Sequence, residues 1–167
     1  MLRITSALKV GVIATAVMEI FFRITDSLFS HGVNFAWLNG TSFGLDSQSF
    51  STLIVGYAEI LFGGVVFAYL YDRFVPRKNM WTGIGFSVLF AMIIVAGLIM
   101  MPIMGATHPL VIVGMIPNPG LFGIGFGIKA GLFNFLGHVI YGIVLGSARQ
   151  LRLDAREERP GVEHNLN

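Results

Sequence analysis

Two carboxylates and an imidazole lie inside stretches where an ionised group is costly. Glu19 sits in "GVIATAVMEIFF", Glu59 in "VGYAEILFGGVV" and His138 in "FNFLGHVIYG". Such groups within apolar helices face inward, pair with one another and mark functional sites. Four chemistries fit these residue types. Glu59 and His138 could bond to each other and hold helices together. With Glu19 they could bind protons, a cation or a polar substrate in a small transporter or channel. Two carboxylates and a histidine suit Fe, Mn or Zn, although the usual second histidine is missing. His138 could also ligate a haem axially, with Met92 opposite. Asn134 and Tyr141 fall on the His138 face, four and three residues away, and complete a candidate polar centre of Glu19, Glu59, Asn134, His138 and Tyr141.

The elements that must carry these groups are membrane spans. Of 167 residues, 54% are hydrophobic and 12% are charged, against about 25% charged in a soluble domain. A bilayer core needs about 20 apolar residues as helix, and four segments qualify: 7–24, 49–71, 80–101 and 125–147. The first carries a basic start and an "ATA" that imitates a cleavage site, but the apolar stretch before it is too short for a signal peptide, so it is read as an uncleaved span. Residues 1–148 form one membrane domain, and 149–167 form a charged tail. A net charge of +2, with the basic residues gathered at span ends, excludes nucleic acid as a partner. The absence of cysteine excludes disulfides, thiolate metal sites and cysteine nucleophiles.

Basic residues orient the spans. Arg3 and Lys9 precede the first, Arg73, Arg77 and Lys78 lie between the second and third, and Arg149, Arg152, Arg156 and Arg159 follow the fourth. The loops 25–48 and 102–124 contain none. The positive-inside rule therefore places both termini and the short second loop in the cytoplasm, with Trp37 and Trp81 near opposite interfaces. Glu59 is then about 12 residues, or about 18 Å, from the cytoplasmic end of its span. Glu19 and His138 come out at the same depth. Glu19, Arg23 and Asp26 share a face and can form an ion-pair ladder. Lys129 can snorkel at the outer end of the fourth span, and His31 and His108 are expected in wet loops. The loop 102–124 is apolar and broken by Pro102, Pro109, Pro117 and Pro119, and is expected to fold back as a cap over the bundle. "GLFGIGFG" (Gly120–Gly127) has dinucleotide-like glycine spacing but no strand context, and is read as a hinge and packing surface.

Small residues mark the packing faces: Gly56 and Gly63 in the second span, Gly127, Gly131, Gly142 and Gly146 in the fourth, Gly11 and Thr15 in the first, and Gly83 and Ser87 in the third. "EILFG" (Glu59–Gly63) aligns with "HVIYG" (His138–Gly142), and Gly11 and Thr15 align with Gly83 and Ser87. The chain thus reads as two tandem helical hairpins in parallel repeat.

The segments "LYDRFVPRKNMWTGIGFSVLFAMIIVAGLIMMPIMG" and "GLFGIGFGIKAGLFNFLGHVIYGIVLG" resemble a family of small four-span prokaryotic membrane proteins of unknown function. The shared features are the basic second loop, the "MP…G" end of the third span and the "H-x-x-YG-x-x-LG" ending, which His138, Tyr141, Gly142, Leu145 and Gly146 fit. The family carries a histidine where this chain has Glu59. The resemblance implies the fold and no activity. The reading is an all-α, four-helix transmembrane bundle in the inner membrane, with both termini inside. Its leading role is a non-enzymatic structural or interaction protein with a buried Glu/His centre and no cofactor, metal or catalytic residue. Its partners are the lipid bilayer and other membrane subunits or a second copy.

Overall fold

A computed structural model of the chain describes residues 2–30, 33–46 and 49–157. His31, Gln48, Arg159 and His164 lie outside the described residues, as do the side chains of Arg3, Arg149, Arg152 and Arg156. Among the described residues every regular element is helical: α1 (Leu2–Phe29), α2 (Phe35–Ser42), α3 (Phe50–Phe74), α4 (Met80–Gly85), a π-helical segment (Phe86–Met100), α5 (Met101–Thr107), α6 (Pro109–Ile112), a kinked 3-10 segment (Leu121–Phe126) and α7 (Ile128–Glu157). Three stretches are long and apolar enough to cross a membrane: Phe50–Phe74, Met80–Thr107 and Ile128–Ala148. The 28 residues of α1 are long enough too, but Lys9, Glu19 and Arg23 interrupt its apolar run.

Local chemistry sets the ends. Ser49 caps α3, its hydroxyl accepting from the Ser51 N–H. Asn79 and Thr82 cap α4 reciprocally, each side chain accepting from the other's backbone N–H at 2.9 and 3.1 Å, which satisfies two otherwise orphaned donors. The third rod does not stop near Met101, where Pro102 had suggested an end. Pro102 falls where the π segment passes into α5; its missing N–H forgoes one backbone bond, but the helical backbone continues and runs on to Thr107. The fourth starts at Ile128, not Gly125, because Gly127 takes φ 110°, a value open to glycine.

The middle of the third rod is wound more widely than an α-helix. The Met101 N–H reaches back five residues to the Ala96 carbonyl. Its buried positions Ser87, Ala91, Met92 and Gly97, continued by Gly83 and Met101, recur at four- and five-residue spacing. The stripe therefore follows the wider turn.

The helices pack as two pairs bridged by α1 on α7. α1 lies against α3 and α7, and α4 lies against α7, whereas α3 and the π segment barely meet. Each pair closes on glycine. A Cβ on Gly11 would stand 2.7 Å from the Val65 Cα, and one on Gly64 would strike the Thr15 hydroxyl. A Cβ on Gly142 would stand 2.6 Å from the Ile84 Cα, one on Gly83 2.8 Å from the Gly146 Cα, and one on Gly146 would strike the Asn79 carbonyl. In lipid, where apolar burial gives no net gain between helices, such close approach is what holds spans together.

Two expected packing glycines do otherwise. Gly63 has no atom of a neighbouring helix within 4 Å of where a Cβ would sit; the packing position is its neighbour Gly64. Gly127 likewise has open space, and its positive φ makes it the joint before α7. Gly131 packs beneath Ile124 of the 3-10 segment, and Gly56 meets the Ala36 carbonyl of α2 instead of another long helix.

The loops are built parts of the bundle. α2, capped by Asn34, lies on α3 through Gly56 and Gly40, each too close to the facing backbone for a side chain. The 102–124 stretch folds back so that Phe122 lies over Gly97 of the π segment, and its carbonyl accepts from the Asn134 amide at 3.4 Å. His108 is not wet: it is 1% exposed. Its Nδ1 accepts from the Leu110 N–H at 3.1 Å, so the proton sits on Nε2, which lies 3.1 Å from the Leu38 carbonyl and 3.2 Å from the Thr41 hydroxyl. One imidazole thereby clamps α6 to α2.

Three outcomes follow from this packing. Gly142→Val should lower stability by about 3 kcal/mol or more, because the clash is with backbone that cannot flex away. Gly85→Val, beside open space, should change stability by less than about 0.5 kcal/mol, because nothing clashes and valine is a slightly better helix former than glycine. His108→Ala should cost about 2–3 kcal/mol by leaving the Leu38 carbonyl and Leu110 N–H unpaired. Denaturant melts of the purified chain followed by circular dichroism read all three, and equal losses for Gly142→Val and Gly85→Val would contradict the seam.

Candidate functional site

Backbone contacts fix where the polar side chains point. Gly11 and Thr15 hold one face of α1 on α3, and Glu19, one turn further on, continues that side toward the bundle interior. On α7, Gly142 and Gly146 lie against α4, which turns Asn134, His138 and Tyr141 to the adjacent face at i, i+4 and i+7. On α3, Gly64 faces α1 and Glu59 and Gly63 are left beside open space.

That space is a cavity of about 300 Å³ lined by all five residues of the expected polar centre, Glu19, Glu59, Asn134, His138 and Tyr141. Apart from Asn39, the rest of its wall is apolar. Met18 and Phe22 come from α1, Phe67 from α3, Ala91 and Ala96 from the π segment, and Met100, Met101 and Met104 from the top of the third rod. Phe35 and Asn39 of α2 close one end, a contribution from a loop helix that the Gly-, Asn- and Ser-rich sequence between the first two long helices did not signal. Phe62 lines the cavity while 70% exposed, so the opening lies beside it, at the seam where α3 and the π segment barely meet.

The five residues share a cavity, yet no Glu59–His138 hydrogen bond forms. His138 donates from Nδ1 to the Asn134 carbonyl at 3.0 Å, because a carbonyl only accepts, and this leaves Nε2 as an acceptor. Tyr141 donates its hydroxyl proton to the Gly64 carbonyl at 2.5 Å. Glu19 is 8% exposed. Its nearest charge is Arg23, 3.8 Å away, and neither of its carboxylate oxygens has a hydrogen-bond partner. Glu59 Oε2 is also buried without a partner. Buried polar atoms left unpaired are uncommon and ask for a reason.

Glu19 also borders a second recess on the outside of α1 and α3, with Thr15, Arg23 and Tyr57. Met92 is buried on the π segment and is not part of the cavity wall. Lys129 donates to the Phe29 carbonyl at 3.4 Å, at the end of α1. Among the described residues no three His, Asp or Glu side chains stand close enough to hold one metal ion. Compared with protein-family models, with curated proteins and with solved structures, the chain matches none.

Proposed function

We propose that this is a four-span integral membrane protein of the prokaryotic cytoplasmic membrane whose central cavity binds a small molecule or ion, as in a small transporter or binding protein. The first span is α1. Its outward side carries Leu8, Val12, Ile13, Val17, Ile20 and Ile24, all exposed, as a lipid-facing helix requires, and its charges turn inward or lie near its ends. The layout is two tandem hairpins with both termini and the 75–79 turn on the cytoplasmic side, as the Lys and Arg distribution requires and as the resemblance to the small four-span family implies.

One observation favours binding over a purely structural centre: the carboxylates of Glu19 and Glu59 face a cavity and hydrogen-bond to nothing. A centre whose purpose was to hold helices together would join its own polar groups, since unpaired ones cost about 1–3 kcal/mol each. The helices are instead joined elsewhere, at the glycine contacts. The proposal assigns no chemical step and no cofactor.

Because the chain lacks cysteine, single cysteines test this cleanly. Ala91→Cys, on the cavity wall, should react with membrane-permeant N-ethylmaleimide, and adding Gly63→Leu should slow that reaction several-fold by filling the space. Ala68→Cys, fully buried and away from the cavity, should stay unreacted. Equal rates at 91 and 68 would remove the cavity from the argument. For the topology, an impermeant maleimide should label Asp46→Cys in intact cells and Arg77→Cys only after permeabilisation; the reverse pattern would invert the orientation.

A further inference from the structure

We infer that the cavity's ligand is a lipophilic ammonium, an apolar body of one or two rings or a short alkyl chain ending in a protonated amine, with Glu59 as the residue that selects it. This rests on the binding role proposed above and deepens it.

The sign of the head group follows from counting donors and acceptors. The Nδ1 proton of His138 goes to the Asn134 carbonyl, the Tyr141 hydroxyl proton goes to the Gly64 carbonyl, and the Asn134 amide is directed at the Phe122 carbonyl. Those donors are turned onto backbone. What remains for a ligand is mostly acceptors: the Glu59 carboxylate, the Glu19 carboxylate, His138 Nε2, Asn134 Oδ1 and the Tyr141 oxygen, against one spare Asn134 N–H. Asn39, at the far end of the wall, offers both kinds and does not change the balance. The formal charge points the same way, because two carboxylates border the cavity and the adjoining Arg23 pairs with only one of them. A buried carboxylate without a partner is strongly unfavourable and is relieved by a cation with N–H donors. An anionic ligand would meet two like charges.

The size and nature of the body follow from the wall. A cavity of about 150 Å³ holds one benzene ring, so the 300 Å³ here takes about twice that. Four methionines, Met18, Met100, Met101 and Met104, contribute to the lining, and their flexible, polarisable side chains adapt to varied apolar shapes. The opening beside Phe62 lies on the lipid-facing side of the seam, so a membrane-dissolved amphiphile can reach it.

The test uses the full chain in lipid nanodiscs, with empty nanodiscs as the reference, and three radiolabelled probes of one shape: 4-phenylbutylamine, 4-phenylbutanol and 4-phenylbutanoate. The amine should bind at least about tenfold tighter than the alcohol, a difference of about 1.4 kcal/mol, and the acid weakest. Glu59→Gln should abolish the preference for the amine while leaving alcohol binding unchanged. Should that variant fail to fold, the ranking of the three probes on the unaltered chain decides alone, and Glu19→Gln, which should weaken the preference only partly, supplies the second variant. Alcohol or acid binding as tightly as the amine would overturn the ammonium assignment and leave the binding cavity standing. A preference for the amine that survives Glu59→Gln would overturn Glu59 as the residue that selects it. Binding of none of the three would overturn both.

Discussion

Backbone-to-backbone contact at glycine is the constraint from which the arrangement follows. Gly11 and Gly64 bring α1 onto α3, and Gly83, Gly142 and Gly146 bring α4 onto α7. Within lipid these contacts replace the apolar driving force that a soluble bundle would use. They also fix rotation: a helix pinned by a glycine on one face has its other faces assigned. Glu59, five residues from Gly64, and His138, four from Gly142, point where they do because of the seams, and not because they attract each other. The opening falls between α3 and the π segment, which meet without a glycine contact of this kind.

This separation of roles explains how carboxylates without hydrogen-bond partners are tolerated. If Glu19 or Glu59 were needed for assembly, a missing partner would weaken the bundle directly. With assembly carried by the seams, the cost of those atoms becomes a standing free energy, which the ligand proposed above would recover. Thr15 and Ser87 make the contrast. Their hydroxyls are also unpartnered, but both residues are fully buried, they line no part of the central cavity, and each sits one turn beyond a glycine of a seam. They act as small residues in a tight interface, where the hydroxyl is incidental to the size.

The sequence made the helical composition, three of the long apolar helices and the inward side of the polar centre legible. Those features depend on hydropathy and on helical spacing, which are local properties. What it hid depends on pitch and on long-range contact. The π segment has an ordinary Val-, Ile- and Met-rich composition, and nothing in "FSVLFAMIIVAGLIM" betrays a wider turn. Aligning Glu59–Gly63 with His138–Gly142 matched Gly63 to Gly142, but the glycine that packs in the first hairpin is Gly64, so the geometric register is one residue off and Glu59 is not the counterpart of His138. The His108 clamp was invisible because its partners, Leu38 and Thr41, lie about 70 residues away. The Asn34 cap before α2 was present in the sequence, and an N-cap residue at the head of an apolar run is the signal that could have found that helix.

The cavity is closed at one end and can be reached from one side. Near α4 the seam between α3 and the π segment is plugged by rings. Tyr71 meets Phe86 at 5.5 Å, Phe86 meets Phe90 at 5.2 Å, and Phe67 meets Phe90 edge-on at 6.2 Å. Tyr71 is fully buried, and its hydroxyl bonds Thr82 at 2.9 Å across the turn, so that end is tied twice. Beyond Phe90 the π segment presents Ala91 and Ala96 to the cavity, residues too small to bridge to α3. A contiguous aromatic cluster costs much to separate, whereas an alanine-lined gap costs little to enter. The cavity is therefore closed toward the 75–79 turn and open at mid-height beside Phe62. On the binding role proposed above, a ligand would reach Glu59 sideways, from the acyl chains, leaving the aromatic plug intact.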